Sequence, residues 1–455
     1  MLLIFSPAYL YSYLWSDDFP VFVDPESMLN HATRDLRPVY GLLIYGGFSS
    51  IDNVDQVALL RLISAIGVIF LIVLIHTELR AFFNKNTLLP CLIFAFCTHP
   101  WLNVVYWATT YVFSWSVGIA LLGLRLTKHH IKERRIVGIF LIAISSLIYP
   151  VSTLFPIAIT YIRGLLEKKN PLEILFNCIH TFLLLLSVII ASLISSRFFI
   201  DKVLGLQPNP RVQLVNFQEI PEKLLFFSTR LIGQSIRFFS ISSPSILEFL
   251  FGFGIIFILI NIFFRICYAE VNYSPLQHTI TLFTIFLMLL SPFAIVADNQ
   301  IDIRYFIGTN WLSAMMISLL FVKLIGESRW NYRLRITFFS SILIGLAATN
   351  SIQFFQNVVR PITTNTQRFI QSQFSDIKIM DCENRIQIVP RTGVWPTKNM
   401  IGMASQVTDL ASSWVPVPAV KLYVEKNYSQ LIAVDFTNNK LESESNCLVD
   451  LNLFR

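Results

Sequence analysis

Residues 57–76 read VALLRLISAIGVIFLIVLIH. At a rise of about 1.5 Å per residue, such a run makes a helix of about 30 Å, the thickness of the hydrocarbon core of a bilayer. A helix apolar on every side belongs in a membrane or a very large core. Working outward, apolar stretches of the same kind recur at 1–14, 87–99, 104–126, 136–149, 150–162, 173–196, 246–266, 278–297, 306–325 and 336–354. The predicted fold is an all-α polytopic membrane protein of about eleven spans.

The rest of the composition agrees. The chain has 455 residues, 54% hydrophobic, and only 14% charged, against about 25% charged in soluble domains. Mean hydropathy is +0.61. A net charge of +7 would suggest a nucleic-acid partner in a soluble chain. Here the basic residues sit in short loops between apolar runs, so they read as orientation signals and no nucleic acid is expected. Cys91, Cys97, Cys178 and Cys267 lie in or beside apolar runs and read as buried thiols. No CxxC and no Cys/His zinc spacing occurs, so no structural metal is expected.

Two segments depart from the simple pattern. Residues 136–162 are too long for one span, and Tyr149-Pro150 and Pro156 interrupt them. Two short helices or a re-entrant pair of half-helices fits both facts. Residues 219–239 place Leu224, Phe227, Leu231, Ile232, Ile236 and Phe239 at helical spacing. They read as a helix lying in the interface or packed on other outer loops.

With the N-terminus inside, the inner loops are 77–86, 127–135, 163–172, 267–277 and 326–335, and Lys and Arg concentrate in all of them except 267–277. The loop 15–56 carries seven acidic residues and, of the basic ones, Arg34 and Arg37. That asymmetry puts the N-terminus in the cytoplasm and sends loop 15–56, loop 197–245 and the tail outside. The domains are then a membrane domain, 1–355, and a C-terminal extracytoplasmic module, 356–455. The module is polar, with strand-like stretches at 385–389, 420–424 and 430–436, and reads as α/β or mainly β. Cys382 and Cys447 are the two cysteines of this tail, and an oxidising compartment would favour a disulfide between them.

The first outer loop carries the candidate chemistry. Asp17 and Asp18 stand where the first helix leaves the membrane. They either cap a helix or place a carboxylate at a low-dielectric mouth, where it can take a proton from a hydroxyl. Arg34 and Arg37, about a turn apart, could share a face and grip a phosphate. In a later outer loop Arg304 could bind the same phosphate and Asp302 could orient it, or the two form an ordinary interfacial pair. Trp101, Trp107 and Trp115 near the outer face could stack on sugar rings, or form the aromatic belt of any membrane protein; Trp101, Tyr106, Tyr111 and Asp302 are the candidate sugar- and acceptor-binding residues.

The order of these features resembles the bacterial serotype-converting O-antigen glucosyltransferases, membrane proteins of GT-C type. The resemblance rests on a short first helix, Asp17-Asp18 at its outer end, Arg37-Pro38 some twenty residues on, and helix 57–76. Thr98-His99-Pro100-Trp101, then Tyr106 and Thr109-Thr110-Tyr111, is similar to the segment that opens the family's fourth helix, with His99 where Asn is usual. Leu147-Ile148-Tyr149-Pro150-Val151-Ser152 is similar to its short Leu-Tyr-Gln segment, with Pro150 where Gln is usual. The similarity covers residues 10–165.

What the resemblance implies is transfer of a sugar, glucose in the known members, from polyprenyl phosphate to an O-antigen or related polysaccharide on the periplasmic face of the inner membrane. Asp17 or Asp18 would be the general base, and Arg34, Arg37 and Arg304 would neutralise the leaving phosphate. Membrane lipid, and proteins that make and flip the donor, are the implied partners. No Walker A sequence or Gly-rich βα turn occurs, so no nucleotide is called for. No cofactor is required, although a divalent metal at the Asp pair is compatible with the scheme.

Two alternatives use the same features. One is a transporter or flippase of lipid-linked sugars, which would need polar groups at mid-membrane and paired repeats. The charges here sit mostly at the ends of spans, and no repeat is visible. The other is a different lipid-phosphate-sugar transferase, acting on lipid A or protein.

The charge asymmetry makes a direct prediction. A periplasm-active reporter fused after Arg455 will be active and one fused after Lys132 will be silent; the reverse pattern would put Asp17 and Asp18 in the cytoplasm.

Overall fold

The computed structural model describes residues 1–14, 18–83, 85–209, 275–295, 306–326 and 332–360, with Gln218, Pro221 and three short strands in the tail. The described part is mostly helical. The order begins α1 (Leu2–Leu10), α2 (Asp18–Val23), α3 (Pro25–Arg34), α4 (Pro38–Ser49), α5 (Val57–Leu79), α6 (Lys85–Ala95) and α7 (His99–Tyr106). It continues with α8 (Phe113–Thr127), α9 (Lys132–Ile148), α10 (Pro150–Leu154), α11 (Pro156–Leu166) and α12 (Pro171–Phe198). The last described helices are α13 (Pro275–Ile295), α14 (Ile307–Gly326) and α15 (Tyr332–Phe354).

Among the described residues, four helical stretches are long and apolar enough to cross a membrane: Val54–Leu79, Ala108–Thr127, Pro171–Val203 and Leu334–Val359. A fifth counts if Asn86–Ala95 and His99–Tyr106, bent by 71°, form one broken span. Several apolar helices could thus cross a membrane, and among the described residues they are fewer than the eleven spans expected. The first, 1–14, holds a nine-residue helix with Pro7 inside it. The expected spans 87–99 and 104–126 are regrouped at Pro100. The proline stands in the first turn of α7, where its missing N–H costs nothing, so a new helix starts there. Residues 246–266, and the amphipathic stretch 219–239 apart from Pro221, lie outside the described residues.

The interruption expected near Pro150 is present. Helix α9 stops at Tyr149, whose backbone is extended, and Pro150 opens the short α10. Pro156 opens α11 in the same way. Cys91, Cys97 and Cys178 are buried free thiols; Cys267 lies outside the described residues.

Helices α8 and α9 approach at two glycines. A Cβ on Gly138 would sit 2.6 Å from the Gly123 carbonyl oxygen and 2.7 Å from the Thr127 nitrogen, both backbone atoms that cannot swing aside. Small residues that bring backbones together are a common way for helices to associate in lipid, where apolar area gives no preference for protein over acyl chains.

Polar contacts join the connecting segments in two places. At one end Arg163 reaches Glu78 at 3.9 Å and Glu167 at 2.6 Å, and Lys169 bridges Glu167 and Glu173 at 3.2 and 3.0 Å. Hydrogen bonds to Glu173 and Glu167 raise the Lys169 pKa. Partial burial works to raise Glu167, but its bonds from Arg163 and Lys169 outweigh that and hold it below the usual carboxylate range. At the other end the segment after α12 returns to the α3–α4 corner. There the Asn209 amide N–H donates to the Arg34 carbonyl at 3.0 Å, and Asn209 Nδ2 to Asp35 Oδ1 at 2.6 Å.

The tail strands β1 (Arg385–Val389), β2 (Ala433–Phe436) and β3 (Leu448–Asp450) form a sheet in the order β2-β1-β3, with both pairings parallel. β1 coincides with the strand predicted at 385–389, and β2 falls inside the one predicted at 430–436. Parallel neighbours require crossover connections of a dozen or more residues. The stretch 420–424, Cys382 and Cys447 lie outside the described residues.

The glycine contact yields a test. Gly138→Val will force α8 and α9 apart at a cost of about 1–3 kcal/mol or more. It will read out as lost folded protein in detergent gel filtration, while Gly345→Val, at a glycine with open space around it, will not.

Candidate functional site

The site begins where α1 ends. Tyr13 and Leu14 are buried, and Asp18, the first residue of α2, is 0% exposed. A carboxylate cannot be held dry without compensation. Asp18 Oδ2 lies 3.4 Å from Arg61 Nη2, and both side chains are fully buried. Asp18 Oδ1 accepts the backbone N–H of Thr109 at 3.0 Å.

Arg61 belongs to the second turn of α5, inside the apolar run. Its Nη2 also donates to the Tyr13 carbonyl oxygen, and its guanidinium carbon lies 3.5 Å from the centre of the Tyr13 ring. The cation is therefore met by a carboxylate, a carbonyl and an aromatic face. Among the described residues its Nε and Nη1 and the Thr109 hydroxyl are buried without a hydrogen-bond partner.

Thr109 is delivered by an irregular backbone. Helix α7 ends at Trp107, which is extended, and a single 3₁₀ turn, Ala108–Thr110, follows before α8. This break frees the Thr109 N–H for Asp18. Thr110 Oγ1 bonds the Val104 and Trp107 carbonyls, and Ser64 Oγ bonds Val104 from α5. Exposed carbonyls at a broken helix are thus met by hydroxyls, as a membrane interior demands.

The expected sugar-facing aromatics have other partners. Trp101 is fully buried, donates Nε1 to the Ile307 carbonyl at 3.1 Å and packs edge-on against Phe96 and Phe155. The Tyr106 hydroxyl lies 2.9 Å from Ser351 Oγ on α15, and its carbonyl accepts the Tyr13 hydroxyl at 2.8 Å. The Tyr111 hydroxyl donates to the Leu43 carbonyl at 2.6 Å. Each polar tip is spent on joining helices.

Arg34 and Arg37 do not share a helical face. Leu36 between them has φ +61° and ends α3, so Arg34 closes one helix and Arg37 caps the next. Arg37 bonds Asp35 at 2.7 Å and lies over the Tyr40 ring at 5.1 Å; Arg34 is exposed. Asp35, 3% exposed, also faces His31 at 3.7 Å and accepts from Asn209. Asp17, Asp302 and Arg304 lie outside the described residues.

The residue that sequence reading passed over is Arg61. A lone ionisable side chain within a membrane helix is a functional candidate by default. That signal was in the run 57–76 and pointed inward.

The pair's burial has a measurable consequence. Asp18→Asn or Arg61→Met alone leaves a buried charge unanswered and will destabilise the protein by about 3–5 kcal/mol. The double variant will recover most of that loss. Melting of the purified protein in detergent checks both; additive losses would mean that the two side chains do not interact.

The chain matches no protein-family model, no curated protein and no solved structure, so the chemistry of these side chains carries the functional argument.

Proposed function

We propose that the chain is a membrane glycosyltransferase that moves a sugar from polyprenyl phosphate to an O-antigen or related surface polysaccharide on the outer face of a bacterial inner membrane. The observation that carries this reading is the dry Asp18–Arg61 pair next to the end of the first helix. A carboxylate fixed at that place is what the resemblance to the serotype-converting glucosyltransferases calls for. Both Asp18 oxygens are engaged, one by Arg61 and one by Thr109. We therefore assign Asp18 to positioning and the base role to Asp17, the residue before it.

In this scheme Asp17 takes the proton of the acceptor hydroxyl as that oxygen attacks the anomeric carbon, and the lipid phosphate leaves with the bonding pair. Direct displacement inverts the anomeric centre and needs no covalent intermediate. Arg304 and the exposed Arg34 neutralise the charge that grows on the phosphate. Arg37, already bonded to Asp35, serves the α3–α4 corner instead.

One observation favours the flippase reading: α6 and α7 bend by 71° at their break, and, taken as one span, a broken helix of this kind is what transporters use to place polar backbone at mid-membrane. A flippase would move the lipid-linked sugar between leaflets and leave the sugar–phosphate bond intact. In proteoliposomes a transferase consumes that bond when acceptor is present.

Surface polysaccharide compared by mass and linkage with and without the gene tests the proposal, and an unchanged polysaccharide would overturn it. Asp17→Asn will lower transfer about 10²–10⁴-fold while the melting temperature stays that of the wild type. Wild-type transfer by Asp17→Asn would remove Asp17 as the base.

A further inference from the structure

We infer that Arg61 and Thr109 form a subsite for a neutral hydroxyl of the transferred sugar; this rests on the glycosyltransferase reading. Arg61 is fully buried, yet among the described residues it uses Nη2 alone for hydrogen bonds, while Nε and Nη1 have no acceptor there. The Thr109 hydroxyl is equally buried and equally unanswered. The two residues are joined through Asp18, whose oxygens meet Arg61 Nη2 and the Thr109 N–H. One hydrogen-bonded unit thus holds two spare donors and a hydroxyl that can donate or accept.

Unmet polar groups in a dry site are costly, and native proteins leave few of them. Charge decides which ligand oxygen answers these. Asp18 already balances the Arg61 cation, so the unit is neutral. A phosphate placed here would leave a net negative charge without compensation in a site closed to solvent. A sugar hydroxyl adds no charge and both donates and accepts, which suits guanidinium N–H groups and a threonine hydroxyl alike. A site built to bond a particular hydroxyl rejects the analogue that lacks it, by up to about 10⁴–10⁵-fold. The subsite would therefore set which sugar is taken.

Thr109→Val isolates the idea, because it removes the hydroxyl and keeps both the shape and the backbone N–H that holds Asp18. Purified protein would be titrated with polyprenyl-phosphate glucose, with its mono-deoxy analogues in turn and with sugar-free polyprenyl phosphate, reading ligand-induced shifts in melting temperature and single-turnover cleavage. Wild type is expected to discriminate against one deoxy analogue. Thr109→Val should reduce that discrimination roughly tenfold and no other, and Thr109→Ser should restore it.

If Thr109→Val keeps every wild-type ratio, trapped water fills the subsite and the inference falls while the glycosyltransferase reading stands. If it weakens sugar-free polyprenyl phosphate as much as the full donor, the contact is to phosphate and the inference falls likewise. If wild type neither binds nor cleaves any donor, both fall together.

Discussion

A carboxylate and a guanidinium held together away from water set the terms for the rest of this structure. Neither Asp18 nor Arg61 could stay charged alone in such a place. Their attraction is strong only because the site is dry, and the site is dry only because several helices close around it. Tyr13 covers one face of Arg61 and then ties itself to Tyr106. Tyr106 reaches Ser351, and Ser351 Oγ donates to the Ile4 carbonyl at 2.6 Å. The pair thus belongs to a polar chain that joins α1, α5, α7 and α15 through groups that all need one another's dehydration.

The aromatic residues on the other side of α7 provide the stiffness. Trp101 meets Phe96 at 4.6 Å and Phe155 at 5.5 Å between ring centres, and Phe155 meets Trp311 at 5.1 Å. Edge-to-face contacts of this kind fix ring orientation better than aliphatic packing does. With α7 clamped by them and by the Trp101 bond to Ile307, the 3₁₀ turn that follows has little freedom. Thr109 consequently presents its N–H at a fixed place. Local irregularity in the backbone is stabilised here by regular, dense packing next to it.

Much of this was legible in the chain. The apolar runs located α5, α12, α14 and α15 closely, since hydropathy over twenty residues is a collective signal. Pro150 and Pro156 announced their breaks because proline acts locally and without averaging. Arg61 was hidden for the opposite reason. The most apolar 18-residue window of Val54–Leu79 has a mean hydropathy of 2.8 even with Arg61 in the run, so one cation leaves such a mean high. Trp101, Tyr106 and Tyr111 were read by residue type, which gives the chemistry of a side chain but not the direction it faces. The corner at Leu36 was silent because a left-handed turn normally carries glycine. A leucine there leaves helical spacing apparently unbroken from Arg34 to Arg37.

The link from Ser351 back to Ile4 also sets an order for biogenesis. Asp18 and Arg61 emerge early from the ribosome, and Thr109 some ninety residues after Asp18. The hydroxyl that secures Tyr106 and the first helix follows only after roughly 240 more. At about 5–20 residues per second, the charged pair spends tens of seconds in the bilayer with its enclosure unfinished. During that interval Asp18 and Arg61 lack the Tyr106–Ser351 link that completes the finished enclosure.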